Sequence, residues 1–143
     1  MGNTLILKGV QLMGNYIEIY IKTELKSDTP QQVIDICNYL FNDIKLPDNF
    51  ELPSHNLFEC DRWEHIGSSC SFYHTPFSMS KMEQHQGTWY INSRSDLKSY
   101  NSEVYKFFEW IKPYTFGHPK CFIGYILRND DADDIELELI YSD

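Results

Sequence analysis

Four runs in the second half of the chain decide the fold: Thr88-Trp-Tyr-Ile-Asn92, the segment from Ser102 to Lys112, Cys121-Phe-Ile-Gly-Tyr-Ile-Leu127 and Ile135-Glu-Leu-Glu-Leu-Ile-Tyr141. The first is short, aromatic and β-branched, which is the pattern of a strand. The second carries Val104, Phe107, Phe108 and Ile111 at helical spacing, with Tyr100, Tyr105 and Trp110 at its flanks. Ser99 or Asn101 is placed to cap it and Pro113 to end it. Between these two, Ser93-Arg94-Ser95-Asp96 reads as a polar turn. The last two runs flank Asn129-Asp-Asp-Ala-Asp-Asp134 and read as a hairpin, in which Ile135, Leu137, Leu139 and Tyr141 alternate with Glu136, Glu138 and Ile140.

The first half repeats that plan more loosely. Leu5-Ile-Leu7 with Val10 and Tyr16-Ile-Glu-Ile-Tyr-Ile-Lys22 are strand-like, and Gly14-Asn15 between them suits a hairpin turn. Ile17, Ile19 and Ile21 share one face of the second run, leaving Glu18, Tyr20 and Lys22 on the other. Thr29-Pro30-Gln31-Gln32 has the capping-box pattern, with proline at the first helical position. Val33, Ile36, Cys37, Leu40, Phe41 and Ile44 then form one apolar stripe that Pro47 stops. Lys45 to Ser69 loses all periodicity, Cys70-Ser-Phe-Tyr-His74 looks like a strand, and Pro76 to Gln86 like a loop. The order is therefore ββα-ββα-ββ. A mostly antiparallel sheet with two helices on one face buries both apolar stripes at once, so the expected fold is an α+β two-layer sandwich, a ferredoxin-like variant with an added hairpin.

With 143 residues, 42% of them hydrophobic and 15% aromatic, the chain suits a single domain over residues 1–143 with a core of its own. Its formal charge of −9 disfavours direct binding of DNA or RNA, which needs clustered Lys and Arg, and favours a basic protein partner. The four cysteines come without a signal-peptide pattern, so free thiols and a cytoplasmic location are expected. No apolar run is long enough to cross a bilayer, and Ile6 stands where a myristoylation motif needs Ser or Thr.

No catalytic signature is present: no glycine-rich phosphate loop, no Gly-x-Ser-x-Gly, no His-Glu-x-x-His. An enzyme is therefore not the first expectation, and no cofactor is implied. Cys60, His65, Cys70 and His74 have zinc-ligand chemistry, yet their Cys-x4-His-x4-Cys-x3-His spacing lacks the close cysteine pair of zinc fingers and ribbons. No metal is expected. Arg62, His65 and Arg94, with neighbouring aromatic residues, form an alternative: a pocket that binds, sequesters or hydrolyses a small nucleotide-like ligand.

Asp130, Asp131, Asp133, Asp134, Glu136 and Glu138 make the strongest cluster, joined by Asp143, with no Lys or Arg from residue 130 onwards. Such density suits a partner-binding surface that meets a cationic groove. Its ordinary counterpart is a solvated hairpin tip beside a strand kept unpaired by charge. Trp63, Tyr73, Trp89, Tyr90, Tyr105 and Trp110 supply anchors wherever they prove exposed, and homo-oligomerisation is also open. Asn92-Ser-Arg-Ser-Asp-Leu-Lys-Ser-Tyr-Asn101, the helix ending Phe108-Glu-Trp-Ile-Lys-Pro-Tyr114, and Phe122-Ile-Gly-Tyr-Ile-Leu-Arg-Asn-Asp-Asp131 together resemble small proteins of phages and bacterial mobile elements. The layout of residues 88 to 141 also resembles toxin-immunity proteins in which an aromatic-glycine strand precedes an acidic turn. This resemblance implies a stoichiometric inhibitor, either an anti-defence protein or an immunity factor, that blocks a basic, nucleic-acid-handling partner in the cytoplasm.

Overall fold

Strand β1 (Tyr16–Glu24), with Ile17, Ile19 and Ile21 buried on one face, lies at the middle of the sheet and is paired along both edges. The computed structural model describes residues 16–68, 79–117, 120–131 and 134–143. The expected strands around Leu5–Val10 and Cys70–His74 lie outside these residues. β3 (Thr88–Lys98) flanks β1 on one side, with Ser95 opposite Ile19, and β4 (Phe122–Asp131) flanks it on the other, with Ile126 opposite Ile19. β2 (Met79–His85) pairs outside β3 and β5 (Asp134–Tyr141) outside β4. The order is β2-β3-β1-β4-β5 and every neighbouring pair is antiparallel.

Helices α1 (Gln31–Asn42), between β1 and β2, and α2 (Glu103–Ile111), between β3 and β4, cover one face. Phe41 of α1 meets Phe107 of α2 edge-on at 6.0 Å, and Ile19, Ile21, Ile36, Ile91 and Ile126 fill the layer between helices and sheet. The first four strands and two helices thus have the β-α-β-β-α-β order of a ferredoxin-like sandwich, to which β5 adds an outer hairpin strand. The expected α+β two-layer architecture holds, and the order of elements differs from expectation over the described residues.

The differences have local causes. Met79–His85, expected as a loop, is a strand that turns into β3 through Gln86 and Gly87, at φ 53° and 83°, the twin positive values of the tight turn that matches strand twist. Ser93-Arg94-Ser95-Asp96 is strand, not turn. Ser93 and Ser95 face the helices fully buried and are satisfied by other elements: Ser95 Oγ accepts the N–H of Gly67, in the connection after α1, at 3.0 Å, while the Ser93 hydroxyl lies 2.8 Å from that of Ser80 on β2. Serine reads as turn-forming only while nothing is packed over it.

At α1 the capping box does not form. The Thr29 hydroxyl donates to the Lys26 carbonyl and the Gln32 amide to the Glu51 carbonyl, so Pro30 takes the cap position with no side-chain bond. The helix stops at Asn42, with Asp43 left-handed at φ 55°, before Pro47 is reached, which leaves Ile44 exposed. Before α2, neither Ser99 nor Asn101 is the cap residue. Buried Glu103 accepts at Oε1 from the Ser99 hydroxyl and the Asn101 N–H, both at 3.0 Å.

Candidate functional site

The face of the sheet opposite the helices is uncovered by any described element, and its character changes from one end to the other. On β3 and β1 it presents Tyr90, Asn92, Arg94, Glu18, Tyr20 and Lys22. Arg94 Nη2 lies 3.5 Å from Glu18 Oε1, the Tyr125 hydroxyl donates to Glu18 Oε2, and the Tyr125 and Tyr20 rings stack at 5.2 Å. Partial burial, followed by the bond to Glu18, pushes the Tyr125 pKa up to about 12, since each favours the neutral phenol. Arg94, whose Nη1 is buried without an acceptor, lines a groove of about 700 Å³ together with Tyr20, Met79, Ser80, Lys81 and Asn92.

Towards β5 the face becomes apolar. Leu127 stands opposite Leu137, Tyr125 opposite Leu139 and Phe122 opposite Tyr141. Ile135, Leu137, Leu139 and Tyr141 are 60%, 59%, 48% and 39% exposed, four large side chains in a row on the outermost strand among the described residues. That row is unlike a core strand, whose apolar side would be covered. Glu136 and Glu138 point to the opposite side of β5, also exposed, and form no ion pair among the described residues. Arg128, directly across from Glu136, donates instead to the Tyr105 hydroxyl at 3.3 Å and stands over its ring.

The two sheet edges are treated differently. At β2, the Asn42 side chain reads both outward backbone groups of Met82: its Nδ2 donates to the carbonyl at 2.7 Å and its Oδ1 accepts the N–H at 2.9 Å. That amide stands where another strand would pair. Nothing among the described residues does the same for β5. At its C-terminal end Ser142 donates its N–H to Cys121 O at 2.8 Å and accepts from the Lys120 N–H, so its backbone faces the β4 side. Stepping back by two, the groups of Ile140, Glu138 and Glu136 face β4, and those of Tyr141, Leu139, Leu137 and Ile135 face outward.

Of the acidic cluster, Glu136 and Glu138 are therefore presented together on β5, whereas Asp133 and the side chains of Asp130, Asp131 and Asp134 lie outside the described residues. Arg62, His65 and Arg94 are not brought together. Arg62 donates to the Lys98 carbonyl at 3.0 Å and sits over the Tyr100 ring. His65 is exposed in the connection that packs on the helix side, and Arg94 projects from the open face. Cys60 is buried, with Sγ 3.5 Å from the Asn56 carbonyl oxygen and 3.5 Å from Lys106 Nζ. Cys70 and His74 fall outside the described residues, and no group of three or more candidate metal ligands gathers within them.

Trp63 and Trp110 are core residues, packed against Phe58 at 5.0 and 5.2 Å, and Trp89 packs against the core, so none of the three is an exposed anchor. Tyr90 is exposed and Tyr105 half-buried, while Tyr73 lies outside the described residues. Sequence reasoning missed Glu18, Tyr20, Tyr125 and Asn42. The first two read from sequence as one polar face of β1, but their partner Arg94 falls in a stretch that reads as a turn. No described helix is long and apolar enough to cross a membrane. Compared with known proteins, the chain matches no family model, no curated protein and no solved structure.

Proposed function

We propose that the chain is a non-catalytic, acidic binding protein that docks a basic, nucleic-acid-handling partner at the β4–β5 end of its sheet and thereby inhibits it. The observation that carries this reading is the coincidence, on one edge strand, of four exposed apolar side chains with exposed Glu136 and Glu138. Apolar area supplies affinity, and carboxylates beside it select a cationic surface and speed the encounter. The overall charge of −9 adds a long-range attraction in the same sense. A groove that handles nucleic acid is the kind of surface for which dense carboxylates compete. The anti-defence or immunity role rests on the resemblance of residues 88 to 141 to phage and toxin-immunity proteins.

The test is capture from nuclease-treated bacterial lysate on the immobilised chain, in parallel with Glu136→Lys/Glu138→Lys and Leu137→Ser/Leu139→Ser. The expected catch is basic, elutes with salt, is lost from both variants and loses its nucleic-acid binding when the free chain is added. A catch that is retained by both variants refutes the site.

A second reading is favoured by one specific feature, the groove in which Arg94, with its unsatisfied Nη1, lies beside Tyr20 and Lys81. Those groups suit binding of a small aromatic anion such as a nucleoside monophosphate, with Arg94 to the phosphate and Tyr20 to the base. Calorimetric titration with nucleoside monophosphates, against Arg94→Ala, decides it: heat from the parent chain and none from the variant supports the pocket, and no heat from either rejects it.

A further inference from the structure

Building on the protein-binding reading above, we infer that β5 is a docking edge for strand addition, and that its occupant is an extended segment of the partner in which apolar residues alternate with Lys or Arg. β2 is closed by the Asn42 amide, whereas the outward N–H and C=O groups of Ile135, Leu137, Leu139 and Tyr141 have no partner among the described residues. An added strand satisfies those groups, and its side chains alternate between the same two faces as those of β5.

The occupant's chemistry follows from the two rows it must match. On the open face it lies beside Ile135, Leu137, Leu139 and Tyr141, continuous with Leu127, Tyr125 and Phe122, so that row must be apolar. On the helix face it lies beside exposed Glu136 and Glu138, so that row must be cationic.

A second copy of the chain fails this match. In antiparallel pairing of β5 with itself, the registers centred on Leu137 and on Glu138 keep the apolar rows on one face but set acid against acid: Leu137 opposite Leu137 puts Glu136 opposite Glu138, and a shift of two residues puts Glu138 opposite Glu138, while the register centred on Leu139 sets Glu138 against Ile140 and gives it no cation. A shift of one residue sets Leu137 opposite Glu138 and turns the two helix layers to opposite faces. The carboxylates thus disfavour self-pairing and, by the same two charges, favour a basic strand.

Amide hydrogen exchange of the full chain, with and without a short synthetic peptide alternating valine and lysine, reads this directly. In the free chain the amides of Ile135, Leu137, Leu139 and Tyr141 exchange fast while those of Glu136, Glu138 and Ile140 are protected. The valine-lysine peptide slows the first set, and a valine-glutamate peptide does not. Glu136→Lys/Glu138→Lys inverts the preference between the two peptides by about tenfold or more. Leu137→Pro, which removes only an outward N–H, leaves the β4 amides protected and abolishes peptide binding, and Leu137→Ala retains it.

Outer amides already protected in the free chain at all dilutions overturn the inference, because the edge is then covered. Protection that rises with protein concentration overturns it in favour of a second copy. Peptide binding that protects other amides, or that survives Leu137→Pro with the β4 ladder intact, overturns strand addition while leaving an acidic binding protein. Failure of the lysine peptide to bind better than the glutamate peptide overturns the occupant's chemistry, and the lysate capture described above still judges the broader reading separately.

Discussion

Replacing Gly124 with alanine probes the join on which the open edge depends. Gly124 faces Ile21 of β1 and Ile140 of β5, and its α-carbon sits against the neighbouring strand. A methyl group there lies 3.1 Å from both the Tyr20 carbonyl carbon and Phe108 Cζ, and closer still to the Tyr20 oxygen. The Phe108 ring can give by a few tenths of an ångström, but the Tyr20 carbonyl belongs to the central ladder and cannot. Overpacking of this kind costs about 1–3 kcal/mol, and loosening one or two ladder hydrogen bonds adds about 1 kcal/mol each. A loss of about 3 kcal/mol lowers the midpoint of thermal unfolding by roughly 10 °C in a chain of this size. Circular dichroism melts of parent and variant measure it. An unchanged midpoint refutes the close approach of β4 to β1, and with it the placement of β5 at the rim of the sheet.

Other outcomes follow from single contacts. Tyr125 titrates in the tyrosinate absorbance with a midpoint near 12, and Glu18→Gln moves that midpoint down, because the accepting carboxylate is gone. Its native pKa lies above the unfolded value of 10.0, so this group's stabilising contribution is whole below that pH and is lost as pH rises through about 12; a midpoint at the ordinary phenol value contradicts the geometry. Gln86→Asn places a residue better suited to left-handed backbone at φ 53° in the β2–β3 turn and raises stability by about 0.5 kcal/mol in denaturant melts, whereas a loss argues against this turn. Asn42→Ala removes two bonds to Met82, costs about 1–2 kcal/mol and makes the Met82 amide exchange faster. Unaltered exchange at Met82 shows that the amide does not close that edge.

The architecture was readable where burial and periodicity coincide. β1 and both helical stripes announce themselves because each buries one row of apolar side chains against a single layer, and the final hairpin because two strand-like runs flank an acidic turn; Val33, Ile36, Cys37, Leu40 and Phe41 are all buried as their spacing implies. β2 and the second half of β3 were not readable. They carry half-buried Ser80 and buried Ser93 and Ser95, which are stable there because Gly67, from a distant part of the chain, bonds Ser80 and Ser95, and Ser80 in turn meets Ser93 across the strands. Neither partner is visible in a local window.

The site was legible in its charge and not in its shape. Glu136 and Glu138 stood out as carboxylates without basic neighbours in sequence, but the alternating Ile135, Leu137, Leu139 and Tyr141 carry the same pattern whether the row faces a core or open solvent. Strand order alone distinguishes the two, and order is set by β1 lying between β3 and β4. The proposed ligand trio of Arg62, His65 and Arg94 failed to assemble for a related reason: once Ser93–Asp96 is strand, Arg94 must point away from the face on which the Trp63–His65 turn is packed.

The most direct measurement is the affinity of the captured partner for the chain as a function of salt, for the parent and for Glu136→Lys/Glu138→Lys. Binding that weakens steadily with ionic strength in the parent, and is lost when the two charges are reversed, is the expected result. Affinity that is flat across salt and indifferent to the reversal contradicts an acidic docking edge on β5.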